Sequence, residues 1–188
     1  MSAFLIAFGV IFVAELGDKS QLMALAFSAR YKARTILVGI TVATAIVHLF
    51  SVLLGAVVGA ALPTKAISIV AGLAFFGFAA WTLRGDELGD DESQRATRTQ
   101  RSVILAVGSA FFLAELGDKT MLATVTLATT NGLIGTWVGS TLGMVAADAL
   151  AIVVGQQLGA RLRERVIRIG AAISFVVFSL LLIIEGVR

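Results

Sequence analysis

Phe12-Val13-Ala14-Glu15-Leu16-Gly17-Asp18-Lys19-Ser20 recurs one hundred residues later as Phe112-Leu113-Ala114-Glu115-Leu116-Gly117-Asp118-Lys119-Thr120. The offset continues without a gap. Val38-Gly39 matches Val138-Gly139, Gly55 and Gly59 match Gly155 and Gly159, Leu62 matches Leu162, Ile67 matches Ile167, and Phe75 and Phe78 match Phe175 and Phe178. A fixed offset that survives over the whole chain is the mark of a duplicated structural unit. The expected organisation is a first unit over residues 1–83, a polar linker over 84–101 and a second unit over 102–188.

Each unit reads as three membrane helices. Of the 188 residues, 58% are hydrophobic and 14% charged, and the mean hydropathy is +0.95. A soluble domain averages about half apolar and a quarter charged, so the excess points to lipid as the solvent. Apolar runs fall at 3–27, 36–62, 66–83, 103–128, 133–158 and 166–184. They do not alternate polar and apolar as barrel strands do, and an open sheet cannot satisfy its backbone in lipid, which leaves helices. No Lys or Arg precedes the first run, and that run carries Glu15 and Asp18, so it reads as a retained span and not as a signal peptide. With no Cys, neither a disulfide, a thiolate metal site nor a cysteine nucleophile is available.

Basic residues set the direction. Arg30, Lys32 and Arg34 follow the first run, Arg84, Arg95, Arg98 and Arg101 the third, and Arg161, Arg163, Arg165 and Arg168 the fifth. The opposite side holds only Lys65 and Arg188. The positive-inside rule then places the three basic loops in the cytoplasm and both termini outside, as in a multi-pass protein of a bacterial inner membrane. The basic balance is thus a topology signal and not a nucleic-acid footprint. The acids Asp86, Glu87, Asp90, Asp91 and Glu92 in the linker read as a solvated connection. The expected fold is an all-α membrane protein of six helices in two three-helix repeats. An odd number of spans per repeat forces the second copy to insert upside down.

The motifs then carry the chemistry. Glu15 and Glu115 each lie about 12 residues into their runs, roughly 18 Å at 1.5 Å per residue, near the middle of a core about 30 Å thick. On a continuous helix Glu15, Asp18 and Lys19 share one arc, as do Glu115, Asp118 and Lys119. Four carboxylates at bilayer depth do not face lipid, because each costs at least about 2.5–3.5 kcal/mol there. With the Ser20 and Thr120 hydroxyls, and Gln21 as an additional oxygen, they form an all-oxygen set suited to Mn²⁺ or Ca²⁺. Lys19 and Lys119 supply charge balance. The plainer reading is a pair of i, i+4 Glu–Lys bridges that only hold a bundle together. Gly17 and Gly117 can unwind the helix and free backbone carbonyls.

The doubled E-x-G-D-[KR]-[ST] pattern resembles the cation/proton antiporters known as manganese exporters in bacteria and Golgi calcium/manganese transporters in eukaryotes, relatives of the lysine-exporter superfamily. The resemblance covers essentially the whole chain. It implies export of Mn²⁺, or of Ca²⁺, in exchange for protons, with Glu15, Asp18, Glu115 and Asp118 as cation ligands and Ser20 and Thr120 as supporting ligands. The cation is then substrate, and no cofactor or enzymatic reaction is expected.

His48 and Asp148 occupy equivalent positions in the two copies. Either can relay protons beside the cation, or simply be a satisfied polar group in the bundle. Met23, Met121 and Met144 read as packing, and Glu185 as reaching the interface. The ridges Gly55/Gly59, Gly155/Gly159 and Gly135/Gly139/Gly143 serve close helix packing within one chain or in a homodimer. Two further functions compete. An amino-acid exporter would use Lys19 and Lys119 against the substrate carboxylate. An intramembrane aspartyl enzyme is disfavoured, since Glu15 and Glu115 stand where its Gly-x-Gly-Asp signature has the first glycine.

Overall fold

The computed structural model describes residues 2–28, 31–61, 63–84, 103–158 and 164–187. Among them every regular element is an α-helix: α1 Ser2–Glu15, α2 Lys19–Ser28, α3 Ala33–Ala61, α4 Thr64–Arg84, α5 Val103–Glu115, α6 Lys119–Thr130, α7 Leu133–Leu158 and α8 Glu164–Val187. The linker acids and the basic residues Arg30, Arg95, Arg98, Arg101, Arg161 and Arg163 lie outside the described residues. So do Gly159, the side chain of Glu185 and Arg188.

The runs expected at 3–27 and 103–128 are not single helices. Each breaks at the motif, after Glu15 and after Glu115. The cause is local. Gly17 and Gly117 adopt φ of 77° and 80°, a left-handed conformation that glycine enters at no steric cost. The Asp18 N–H then bonds back to the Glu15 carbonyl at 3.1 Å, and Asp118 repeats this with Glu115 at 3.2 Å. A fresh helix starts at each lysine. Elsewhere the punctuation is ordinary. Pro63 separates α3 from α4, and the Asn131 amide bonds the Leu127 carbonyl at 2.9 Å to close α6.

Small residues decide how the helices approach. Gly135, Gly139 and Gly143 of α7 lie in turn against Ala3, Phe4 and Phe8 of α1, so these helices run parallel. Gly55 and Gly59 of α3 lie against Val125 and Thr129 of α6, again parallel. At each place an added Cβ would meet backbone of the neighbouring helix, so these ridges serve packing within the chain. α4 and α8 run antiparallel. Gly186 packs on Lys65 and Ile69, the Ser179 hydroxyl bonds the Gly72 carbonyl at 2.6 Å, and Phe75 meets its own repeat counterpart Phe175 at 5.8 Å.

The contacts respect the duplication. Exchanging α1–α4 with α5–α8 turns the α1–α7 pairing into α3–α5 and the α3–α6 pairing into α2–α7, and all four are made. The exchange is imperfect at Phe8. Phe8 stacks between Phe4 and Phe12 on α1, but Gly108 stands at the equivalent position of α5. The missing ring leaves an apolar outer groove of about 410 Å³ lined by Gly39, Ala43, Gly108 and Phe112.

The distribution of polarity is that of a lipid-facing bundle. α3 turns Val38, Val42, Ile46, Leu49, Leu53 and Val57 outward and buries Thr44, His48 and Ser51. Helix α3 and residues 133–154 of α7 are long and apolar enough to cross a membrane unaided. α1 and α5 are shorter apolar helices, which reach full span length only together with α2 and α6 beyond the break.

Candidate cation-binding site

The acids and hydroxyls that flank both helix breaks are buried. Glu15, Asp18, Ser20, Glu115, Thr120 and Asp148 have no exposed surface, and Asp118 and Lys119 almost none. Glu15 ends α1 and Asp18 precedes α2, so the two carboxylates do not share a continuous helix face, contrary to the expectation from their spacing. What brings them together is the turn. Ser20 donates a hydrogen bond to Glu15 Oε1, and Thr120 donates to Glu115 Oε2 at 2.8 Å. Residues five apart on an unbroken helix point about 140° away from each other. The bond therefore exists only because the helix is broken between them. It also gives both hydroxyls the work of positioning carboxylates.

Gln21 has a similar task. Its Oε1 accepts the Gly17 N–H at 2.8 Å, and its Nε2 donates to the Ala147 carbonyl of α7 at 3.0 Å. The amide oxygen is thus committed to the turn. In the second copy Met121 stands at this position, and its Sδ accepts the Gly117 N–H at 3.1 Å. Leu116 and Gly117 are exposed, whereas Leu16 and Gly17 are partly covered, so the first turn is the better packed of the two.

Across the repeat boundary the motifs converge. Glu15, Asp18 and Glu115 each offer a carboxylate oxygen, and the three atoms lie within 4.8 Å of one another. Glu15 Oε2 and Glu115 Oε1 are buried with no hydrogen-bond partner among the described residues. Such atoms are costly unless something fills them. Three converging carboxylates match what a hard divalent cation coordinates. Asp118 is not in this triad. Among the described residues the lysines form ion pairs not with the glutamates of their own motifs, as an i, i+4 spacing suggested, but with aspartates. They cross over instead: Lys119 pairs with Asp18, and Lys19 reaches Asp118 at 3.7 Å. Sequence spacing could not show this, because each bond joins residues about one hundred positions apart.

Asp148 on α7 lies beside Asp18 and Ser20 and within electrostatic reach of both glutamates. Neither of its oxygens has a hydrogen-bond partner among the described residues. Its counterpart His48 is equally buried on α3, and both ring nitrogens lack partners among those residues. His48 stands outside the triad. Met144 accepts a bond from Thr44 at 3.3 Å, and Met23 is buried in the apolar core, so both act in packing.

The chain matches the family described as "Divalent cation/proton antiporter GDT1" over residues 3–90 and 103–188. It is 35% identical to a Vibrio cholerae serotype O1 protein named "Putative manganese exporter", covering 83% of this chain and 78% of that one. It is 28% identical to a GDT1-like protein of Synechocystis, covering 95% of each. It is 32% identical to the chloroplastic protein PAM71 of Arabidopsis thaliana, covering 98% of this chain but only 57% of that one. No solved structure matches. The family is one of transporters and not of enzymes, which removes the intramembrane aspartyl enzyme. This chain belongs to the GDT1 family of divalent cation/proton antiporters.

Proposed function

We propose that the protein exports Mn²⁺ across a bacterial inner membrane in exchange for protons, with Ca²⁺ as the alternative cargo. The observation that carries this is the buried triad Glu15, Asp18 and Glu115, drawn from both copies, with one oxygen of each glutamate lacking a hydrogen-bond partner among the described residues. All its ligands are hard oxygens, and the described interior places no imidazole among them, which favours Mn²⁺ or Ca²⁺ over softer ions. The name of the Vibrio cholerae relative tips the choice toward Mn²⁺.

The exchange follows from competition. Carboxylates bind a metal only when deprotonated, so metal binding releases protons and protonation releases metal. If the site changes sides only when it holds one or the other, the result is antiport. Protons entering from an acidic exterior then drive metal out. Asp148 passes protons to and from the triad in this reading, which is supported by its position beside Ser20 and within electrostatic reach of Asp18. His48, which is not among the three converging ligands, is the weaker candidate for that role.

Alternating access rests on six spans in two inverted repeats, with both termini outside. The antiparallel pairing of the equivalent helices α4 and α8 about Phe75 and Phe175 supports this reading. Two copies related that way present their broken helices to the centre from opposite faces. The test is Mn²⁺ uptake into proteoliposomes with and without a pH gradient, alongside an internal pH dye. Uptake should rise with the gradient and move protons the other way. Mn²⁺ flux with no proton counterflow at any pH would make the protein a passive channel.

A further inference from the structure

The two crossed ion pairs are one contact made twice by the repeat, yet they are unequal. The Lys119 side chain is 2% exposed and pairs with Asp18, a member of the triad. The Lys19 side chain is 19% exposed and lies 3.7 Å from Asp118, which is outside the triad. One ammonium is thus buried on a carboxylate that the triad needs, while the other sits at the edge of the cluster.

We propose that Lys119 is a tethered counter-ion which the transported cation must displace from Asp18, and that this displacement unties the two repeats. The inference rests on the cation reading of the triad. A divalent ion and an ammonium on one carboxylate repel each other strongly in a water-poor interior. A doubly charged ion that gathers three carboxylates can outcompete a singly charged ammonium for Asp18. A monovalent ion in the same place cannot. Lys119 therefore acts as a built-in competitor that sets a charge threshold for entry. The pair also has a mechanical consequence. Asp18 leads into α2 and Lys119 opens α6, so the bond ties the broken helix of one copy to that of the other. Releasing it on binding couples occupancy to freedom of the repeats to move. The repeat implies that the looser Lys19–Asp118 pair becomes the tight one when the site faces the other side.

The test uses the full chain, with Mn²⁺ as the probe. K119Q should bind Mn²⁺ at least tenfold more tightly by calorimetry in detergent. Its maximal uptake rate in proteoliposomes should fall at least tenfold, because occupancy no longer changes the tie. K119R should restore both values toward those of the wild type, and K19Q should tighten binding less than K119Q. A folded K119Q with unchanged or weaker Mn²⁺ affinity overturns the proposal and leaves Lys119 as a structural tie. Should K119Q not fold, the wild-type chain decides. A small amine-reactive reagent, read by mass spectrometry, should label Lys119 at least threefold faster in saturating Mn²⁺ than in K⁺. Unchanged labelling in a chain that binds Mn²⁺ overturns this inference alone. A wild-type chain that binds neither Mn²⁺ nor Ca²⁺ overturns the cation reading and this inference with it.

Discussion

Replacing Thr120 by valine removes a hydroxyl and keeps the volume, and the structure says what that costs. Thr120 Oγ1 donates to Glu115 Oε2 at 2.8 Å, with both residues fully buried. The other oxygen of Glu115 has no hydrogen-bond partner among the described residues. The hydroxyl therefore fixes the carboxylate that the second repeat contributes to the triad. A hydrogen bond to a charged group contributes about 1.5–3 kcal/mol. At about 1.4 kcal/mol per factor of ten, its loss should weaken cation binding roughly 10- to 100-fold. Outer partners of metal ligands typically show effects of this size. The assay is the initial rate of Mn²⁺ uptake into proteoliposomes against Mn²⁺ concentration. KM should rise by that factor for Thr120→Val and return close to the wild-type value for Thr120→Ser. A valine variant whose KM stays within twofold of an active wild type would show that the hydroxyl does not position the ligand.

Two further substitutions test the frame that holds the site. Gly117→Ala adds a Cβ that meets nothing within 4 Å, so its cost is purely that of φ +80° for a residue with a side chain. It should destabilise the protein by about 1–2 kcal/mol, seen as a lower melting temperature in detergent, whereas Gly9→Ala in the middle of α1 should not. Gly143→Leu drives a side chain into the Phe8 carbonyl and the Phe12 amide of α1. It should abolish the monodisperse peak in size-exclusion chromatography, and a normal elution profile would mean that α1 does not need this close approach to α7.

What the sequence made legible was whatever local patterning controls. The helices follow from apolar runs, the duplication from the offset of one hundred, and the acids from the cost of charge in lipid. The runs at 36–62 and 133–158 became α3 and α7 within a few residues. The breaks after Glu15 and Glu115 were legible only as a permission granted by Gly17 and Gly117. A glycine inside an apolar run fits a continuous helix as readily as a left-handed turn. Hydropathy averages over the three residues that decide the matter. Ser20 and Thr120 were visible as oxygen donors near the acids. Their true use, holding Glu15 and Glu115 across the break, needed the break itself.

The partner of each lysine was hidden for a different reason. An i, i+4 rule ranks neighbours on one helix, and on that rule Lys19 belongs to Glu15. The turn removes this option, because Glu15 ends one helix and Lys19 begins the next. Once the local partner is lost, a buried ammonium needs another carboxylate, and the motif of the other repeat supplies it. The same turn that frees Glu15 for a cation thus sends Lys119 to Asp18. Gly17 and Gly117 thereby set two features at once. They expose glutamate oxygens to a common centre, and they make the ion pair of each aspartate depend on the lysine of the other repeat.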